Sequence, residues 1–317
     1  MKTIRKTLAA AVVLAAGLAI GNGGVAEAKP QNLSVVTGNT GGTFYPVGVG
    51  LAKLLSDAGM QAAADVGGGN SNIIAISKGS ADIGFTFSPT AVFAANGDEP
   101  FKEKFTNLKG IATLYTNVTH IAVTTDSGVT SVKELKGKSF ASQPLSAGSA
   151  TFFRMILEAN GLTEDDLEIA VRGGPAQGAQ AVRDRRAIGF QATAGYPNGS
   201  FSEAFLSVPM ALLDIEDDTF QSINGKNPGL VRAEIPAGTY KGVDKPVKSI
   251  GASTILIVNA DMPEEDVYEI VKAMIENLDS LKAVHGSVRG TTVESMSKIA
   301  GVEMHPGAVR AYKEAGY

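Results

Sequence analysis

Residues 33–45 read LSVVTGNTGGTFY, and this stretch decides the fold that the sequence predicts. The apolar run 33–37 predicts a strand, and residues 38–43 form a turn rich in glycine and threonine. Apolar residues at helical spacing follow the turn: Phe44, Val47, Leu51, Leu54 and Leu55. Glycines let a backbone approach a ligand closely, and the N–H groups that begin a helix bind carboxylate or phosphate. The ligand-binding candidates in this stretch are Thr40, Gly41, Gly42, Thr43 and Tyr45.

The spacing of these glycines excludes two nucleotide-binding motifs. The G-x-G-x-x-G pattern of dinucleotide-binding folds is not met, and no Lys-Ser/Thr pair follows the glycines as in a P-loop. A plain tight turn stays open as the alternative on spacing alone. The threonines and Tyr45 favour a polar binding loop instead.

The same order of strand, turn and helix returns at residue 138. Residues 138–142 predict a strand and 143–148 a turn, after which Ser149 is expected to cap a helix that carries Phe152, Phe153, Ile156 and Leu157. The candidates in this second stretch are Gln143, Gly148, Ser149, Ala150 and Thr151. Ligands of open α/β sheets bind outside the carboxyl ends of strands. Two such ends therefore predict two α/β lobes that close on a ligand.

Other short apolar runs between helical patterns support an α/β fold. The further strands are expected at residues 61–66, 81–87, 111–115, 120–125, 167–172, 188–193, 208–214 and 253–258. The glycine loop 67–70 makes Asn72 a candidate for ligand contact, with a helix cap as the alternative. Ser88 is expected to cap a helix, and Ser131 and Asp261 to open capping boxes.

Composition excludes several classes of function. The 317 residues contain no cysteine, which excludes disulfides, thiolate metal sites and a lipoprotein anchor. The net charge of −4 argues against nucleic acid as a partner. The three histidines (His120, His285 and His305) lack zinc-motif spacing, and no G-x-S-x-G elbow occurs. We therefore expect no metal, no cofactor and no catalytic residue. Arg154, Arg172, Arg183, Arg185 and Arg186 are the side chains that could clamp a carboxylate.

The first 28 residues have the pattern of an export signal. Lys2, Arg5 and Lys6 precede an apolar run at 8–20, and Ala26-Glu27-Ala28 offers a cleavage site. We expect cleavage near Ala28 and a periplasmic mature protein. The predicted division is a signal peptide at 1–28, lobe I at 29–124 and 253–317, and lobe II at 125–252.

An ordered set of motifs resembles the TAXI family of TRAP-transporter solute receptors. It runs through nearly the whole mature chain: TGNTGGTFYP (37–46), the glycine loop ending in Asn72, SADIGF (80–85), LKGK (135–138), GSAT (148–151), IPAGTY (235–240) and HPGA (305–308). The resemblance implies a type II periplasmic-binding-protein fold and a fused TRAP permease as membrane partner. It also implies glutamate, glutamine or a dicarboxylate such as 2-oxoglutarate as ligand. The family's ligand loops correspond to 40–45, Asn72, Ser88 and 148–151, and its turn at 195–198 adds Tyr196 and Pro197.

The chain departs from this family at several positions. Gly69-Asn70-Ser71-Asn72 lacks the family's glutamate, Ala150 replaces a glycine, and Ile188-Gly189 replaces Asp-Ala. Gln143 and Arg172 also differ from the family's residue types, so the ligand could differ from glutamate. We expect a monomeric receptor without catalysis. An exported enzyme on the same fold and a ligand sensor for a membrane kinase are the alternatives.

Overall fold

The computed structural model describes residues 29–226 and 229–317, so the predicted signal peptide lies outside the described residues. One ten-stranded sheet runs through this part of the chain in the order β2-β1-β3-β10-β4-β7-β5-β6, with β8 beside β4 and β9 beside β10. The strands are β1 (Leu33–Val36), β2 (Ala62–Asp65), β3 (Ile83–Phe87), β4 (Leu108–Thr124), β5 (Ser139–Ser142), β6 (Glu168–Arg172), β7 (Gly189–Ala194), β8 (Met210–Leu212), β9 (Val231–Ile235) and β10 (Val247–Asn259).

Eleven helices of the described chain pack around this sheet. They are α1 (Phe44–Asp57), α2 (Gly69–Ser77), α3 (Ser88–Asn96), α4 (Gly148–Ala159), α5 (Pro175–Arg183), α6 (Gly199–Ser207), α7 (Asp217–Lys226), α8 (Glu264–Glu276), α9 (Leu278–Lys282), α10 (Val293–Met296) and α11 (Pro306–Glu314). We call β1–β3, α1–α3 and α8–α11 the first lobe, and β5–β9 with α4–α7 the second lobe. None of the described helices has the length and apolar character that a membrane crossing requires.

Two long antiparallel strands, β4 and β10, connect the lobes. The first part of β4 pairs with β10, and from Val118 onward it pairs with β7. Strand β10 pairs with β9 up to Gly251, and beyond it pairs with β3. This is the two-lobed architecture of a type II periplasmic-binding-protein fold, and it confirms the predicted fold class. The lobe boundaries predicted at 124/125 and 252/253 stay predictions, since the strands change partners within their own length.

The predicted strands and the two strand–turn–helix stretches are found within a few residues of their expected bounds, with two exceptions. The strand expected at 253–258 is the longer strand β10, which begins at Val247. The strands expected at 111–115 and 120–125 are the single strand β4. The polar residues Asn117 and Thr119 lie between the two predicted runs. Both are buried and hydrogen-bonded to neighbouring strands, Asn117 to Thr254 on β10 and Thr119 to Thr193 on β7, so the strand continues through them.

Three predicted helix caps are wrong, and one capping box is confirmed. Ser88 is already helical, and its hydroxyl donates to Ala300 O at 2.7 Å. Ser149 lies inside α4, and Pro263 rather than Asp261 precedes α8. The Ser131 box is present, although it opens only a single 3-10 turn at Val132–Leu135. Local sequence identifies residues with capping chemistry, but distant partners decide how that chemistry is used.

Candidate functional site

A cavity of about 40 Å³ lies between the lobes. Both lobes and the connecting strand β4 supply its wall, which consists of Gly38, Asn39, Gly42, Thr43, Phe44, Gly68, Gly69, Phe87, Asn117, Gln143, Ala147, Gly148, Ser149, Pro175, Ala192, Thr193 and Ala194. The two strand–turn–helix stretches, at 33–45 and 138–151, thus meet across one cavity.

Four helices begin at this wall, two from each lobe. Helices α1 and α2 follow β1 and β2 in the first lobe, and α4 and α5 follow β5 and β6 in the second. The first N–H groups of a helix have no partner within the helix. Each helix start also carries about half a positive elementary charge from the aligned peptide dipoles. The cavity is therefore a place where positive potential converges from both sides.

The wall contains no charged side chain among the described residues. Two of the helix starts also come very close, because a methyl group on Gly69 would lie 3.5 Å from the backbone nitrogen of Gly148. Two positive helix ends that approach each other repel unless an acceptor lies near them. The Ser146 carbonyl supplies part of this compensation, since it accepts from the N–H groups of Asn70 and Ser71 at 3.0 and 3.2 Å. A bound anion would supply the rest.

Strands β4 and β7 form the polar floor of the cavity. Thr193 lies in the wall, and its hydroxyl is 2.7 Å from that of Thr119. Asn117 is fully buried in the wall, and its amide nitrogen donates to the hydroxyl of Thr254. The Oδ1 atom of Asn117 has no hydrogen-bond partner among the described residues. A buried polar atom without a partner is uncommon and calls for an explanation.

Aromatic rings form the apolar side of the wall. Phe44 and Phe87 lie 4.9 Å apart between ring centroids, and Phe87 lies 5.2 Å from Phe152 of the second lobe. The site thus offers helix starts for an anionic group, one unpaired acceptor, and a hydrocarbon surface.

The first of two clamps that hold the lobes together surrounds Asn70, and we call it the Asn70 clamp. The side-chain nitrogen of Asn70 approaches three acceptors in the second lobe: Leu145 O at 2.9 Å, Thr151 Oγ1 at 3.2 Å and Ala147 O at 3.4 Å. Gly68 is needed beside it, because a Cβ atom there would lie 2.6 Å from Ser146 O. This clamp joins the start of α2 to the turn before α4.

The second clamp, on the other side of the cavity, surrounds Asn198, and we call it the Asn198 clamp. The side-chain nitrogen of Asn198 donates to Gly41 O at 3.0 Å, and the backbone N–H of Gly195 donates to Thr43 Oγ1 at 3.0 Å. The Ser200 hydroxyl adds a longer contact of 3.4 Å to Gly41 O. Asn198 also caps α6 by accepting from the N–H groups of Ser200 and Phe201. Residues of the second lobe therefore hold the first binding loop.

A buried histidine supports the Asn198 clamp from behind. The Tyr240 hydroxyl accepts from the N–H of Asn198 at 3.0 Å and lies 2.9 Å from His120 Nε2. The other ring nitrogen of His120 is 2.8 Å from Val118 O, at the point where β4 changes partners. Burial lowers the pKa of His120 to about 4, so the ring is neutral at physiological pH. As a neutral ring, it donates through Nδ1 and accepts from Tyr240.

The predicted site residues fall into three groups. Five line the cavity, namely Gly42, Thr43, Gln143, Gly148 and Ser149. Gly41 and Thr151 belong to the clamps, and Thr43 serves both the wall and the Asn198 clamp. The remaining residues lie outside the wall of this cavity: Thr40, Tyr45, Asn72, Ser88, Ala150, Tyr196 and Pro197. Their contact with a ligand stays a prediction.

Asn72 illustrates how a residue outside the wall can still shape the site. Its Oδ1 accepts from the N–H of Gly68, and its side-chain nitrogen donates to Thr37 O at 2.6 Å and Phe85 O at 2.7 Å. These bonds tie the glycine loop to the ends of β1 and β3. In this arrangement the side chain positions the loop.

Sequence reasoning missed Asn39, Asn70, Asn117 and Thr193. Asn70 was visible as a second asparagine in the glycine loop, but its partners lie about 75 residues further along the chain. Asn117 lay between two predicted strands. Had those strands been predicted as one, a polar residue in the interior of the strand would have marked it as a candidate. No local pattern marked Thr193.

The five candidate arginines do not line the cavity. Arg172 pairs with Glu164 at 3.0 Å, and Arg183 with Glu203 at 2.8 Å. Arg185 and Arg186 border a larger cavity of about 270 Å³ in the second lobe. That cavity lies at the amino ends of β5 and β7, whereas ligands of α/β sheets bind at the carboxyl ends. We therefore take the smaller cavity between the lobes as the candidate site. The described residues contain no cluster of three metal-ligating His, Asp or Glu residues.

Solved structures share this architecture at low sequence identity. A protein of Bordetella bronchiseptica RB50 superposes with a TM-score of 0.53 at 15% identity, covering 90% of this chain and 89% of the other. The periplasmic binding protein BugD gives 0.53 at 14% identity, with 90% and 93% covered. A structure described as a periplasmic transporter gives 0.52 at 11% identity, with 91% and 93% covered. At these identities the likeness establishes the fold alone.

The family assignment comes from the sequence pattern rather than from the superpositions. The pattern of the NMT1-like family matches residues 35–316, which include every residue of the cavity wall. The chain belongs to the NMT1-like family.

Proposed function

We propose that this protein is a periplasmic solute-binding receptor that holds a small organic anion between its lobes and delivers it to a membrane transporter. The observation that carries the proposal is the convergence of four helix starts on one cavity between the lobes, whose wall has no charged side chain among the described residues. Such a site favours an anion through backbone N–H groups and peptide dipoles. The export-signal pattern at 1–28 supports a periplasmic location.

Closure of the lobes links ligand binding to delivery. The clamps provide attraction between the lobes, whereas the facing starts of α2 and α4 oppose it. An anion placed between those starts replaces repulsion with attraction, so it stabilises the closed form selectively. A ligand shifts a conformational equilibrium only by binding one state better than the other, and this arrangement supplies the difference.

An enzyme on the same fold is less well supported. Acid–base and nucleophilic catalysis need a titratable or activated group beside the substrate. The cavity wall offers amides, hydroxyls, aromatic rings and backbone, with no carboxylate, imidazole or amine among the described residues. The hydroxyl of Ser149, the only serine in the wall, lies against the backbone of Thr193. We therefore propose binding without catalysis.

The transporter type and the ligand are finer parts of the proposal. The ordered motifs of the TAXI family favour a fused TRAP permease as partner, with glutamate, glutamine or a dicarboxylate as the family's ligands. A water-sized probe occupies roughly 10–15 Å³ in this measure. The cavity of about 40 Å³ thus has room for only a few non-hydrogen atoms in the closed arrangement. Glutamate would require a wider separation of the lobes, so we place small monocarboxylates first among the ligands to be tested.

Calorimetry on ligand-stripped protein tests the proposal. The protein would be unfolded in guanidinium chloride, dialysed and refolded, so that any co-purified ligand is removed. It would then be titrated with small monocarboxylates, dicarboxylates, glutamate, glutamine and uncharged amides of matched size. Saturable binding of one carboxylate class, with no binding of its amide, is expected. Absence of binding to every organic anion would contradict the receptor function.

Uptake into vesicles bearing a fused TRAP permease or an ATP-driven permease would separate the transporter types.

A further inference from the structure

We infer that the ligand is a small hydroxycarboxylate, and that Asn117 selects it by accepting a hydrogen bond from the ligand's hydroxyl group. The inference rests on the proposed function and identifies the ligand class of the same site. It comes from Asn117 Oδ1, which among the described wall residues is the one buried side-chain atom without a hydrogen-bond partner.

Asn117 is held in place by the protein on one side only. Its amide nitrogen donates to the Thr254 hydroxyl on the neighbouring strand β10, which fixes the side chain. Asn117 is a residue of the cavity wall, and its Oδ1 is buried without a partner among the described residues. A buried acceptor without a donor is destabilising. A ligand hydroxyl would remove that cost, so a ligand with this donor should bind more tightly than one without it.

The neighbouring hydroxyl groups on the floor are already paired. The hydroxyls of Thr119 and Thr193 bond each other at 2.7 Å, and Ser149 Oγ accepts from the N–H of Thr193 at 3.1 Å. The floor therefore presents one specific open acceptor beside the helix starts. This asymmetry distinguishes a ligand that has both an anionic group and a donor from a plain carboxylate.

The chemistry of the wall favours a hydroxyl over an ammonium group as that donor. A buried ammonium needs a carboxylate partner to offset its loss of hydration. The wall contains no carboxylate among the described residues, and the helix starts repel a cation. A neutral hydroxyl needs only the single acceptor. The rings of Phe44 and Phe87 provide an apolar surface for the ligand's hydrocarbon part.

Pairs of carboxylates that differ by one group provide the test. Lactate would be compared with propionate, and glycolate with acetate, by calorimetry on stripped wild-type protein. We expect each hydroxy acid to bind between about threefold and tenfold more tightly than its partner, as one net hydrogen bond predicts. Pyruvate, which offers an acceptor in place of the hydroxyl, should bind no better than propionate.

Variants then assign the preference to Asn117. In Asn117→Leu the preference for lactate over propionate should disappear while propionate binding is kept. Asn117→Ser should retain part of the preference. Thr116→Val is the matched control, because Thr116 is an exposed neighbour on the same strand and lies outside the wall. It should leave both stability and the preference nearly unchanged.

The two levels of the proposal fail differently. If no small or larger organic anion binds the wild-type protein, the receptor function is wrong. If small carboxylates bind but lactate has no advantage over propionate, or pyruvate binds more tightly than lactate, the hydroxycarboxylate inference is wrong. If Asn117→Leu keeps the lactate preference, Asn117 is not the selecting residue. The wild-type comparison decides the ligand class even if a variant does not fold.

Discussion

The two clamps lie on either side of the same cavity, and their hydrogen bonds run in opposite directions between the lobes. In the Asn70 clamp, donors of the first lobe meet carbonyl groups of the turn before α4 in the second lobe. In the Asn198 clamp, donors of the second lobe meet acceptors of the first binding loop. Only the Asn198 clamp is connected through Tyr240 and His120 to the strand that joins the lobes. We therefore expect the Asn70 clamp to act mainly on closure of the lobes. We expect the Asn198 clamp to connect that closure to strand β4.

Gly68→Val should disrupt the Asn70 clamp and have the largest effect on ligand affinity. The backbone of Gly68 is extended, with φ −166°, so valine is tolerated there until the lobes meet. Its Cβ would then lie 2.6 Å from the Ser146 oxygen and 3.0 Å from the Ser146 carbonyl carbon. We expect ligand affinity to fall by at least about 100-fold, equivalent to about 3 kcal/mol. Calorimetry measures the affinity.

Gly290→Val is the control for this variant, because a Cβ at Gly290 meets nothing within 4 Å. Its affinity should match that of the wild type. Wild-type affinity in Gly68→Val would show that the two lobes do not need this contact to hold the ligand.

Low pH should destabilise the folded protein through His120, which supports the Asn198 clamp. The folded protein holds this imidazole neutral, with a pKa of about 4, whereas the unfolded chain binds a proton near the ordinary value of 6.5. Stability is therefore unaffected above pH 6.5 and falls as the pH decreases from 6.5 to 4, by up to about 3 kcal/mol. Urea unfolding of the ligand-free protein at several pH values measures this loss.

His120→Gln separates this effect from the titration of other groups. Burial also lowers the pKa of His285 and His305, so both add to the loss in the same pH window. The variant should be less stable at pH 7.5 and should lose less stability than the wild type between pH 6.5 and 4. Identical pH dependence in both proteins would exclude His120 as the sensitive group.

Asn70→Ala should weaken binding by about tenfold, because the closed form would lose the donors to Leu145 O, Ala147 O and Thr151 Oγ1. The effect should appear in the dissociation rate, which stopped-flow displacement measures, since the contacts form after the ligand has entered. A change confined to the association rate would contradict the role of Asn70 in the closed form.

Asn198→Ser should have the smallest effect and the most selective one. A serine hydroxyl still accepts from an N–H group at the start of α6, so a cap is kept, but it is too short to donate to Gly41 O. We expect affinity to fall by about three- to fivefold with little change in the urea midpoint. Asn198→Ala removes the cap as well and should lower stability by about 1 kcal/mol. Equal stability losses in both variants would contradict this separation of roles.

The sequence predicted much of the fold, and five of its fourteen candidate ligand-binding residues lie in the cavity wall. The stretch at 33–45 and its counterpart at 138–151 were identified because glycine turns and helical spacing are local features. Asn70 and Asn117 were assigned no role because their partners lie distant in sequence. The turn 195–198 was placed at the cleft by the family resemblance, but the contact of Asn198 with Gly41 was not predicted. Ser149 and Asn72 were expected to cap helices or meet the ligand. Instead, the side chain of Ser149 bonds the backbone of Thr193, and that of Asn72 bonds the backbone of Thr37 and Phe85.

A crystal structure of the wild-type protein with lactate tests the central claim most directly. We expect the lobes closed, with carboxylate oxygens about 2.7–3.2 Å from backbone nitrogens at the starts of helices on both sides of the cavity. A carboxylate held by an arginine or lysine side chain, or bound beside Arg185 and Arg186 in the larger cavity, would contradict it.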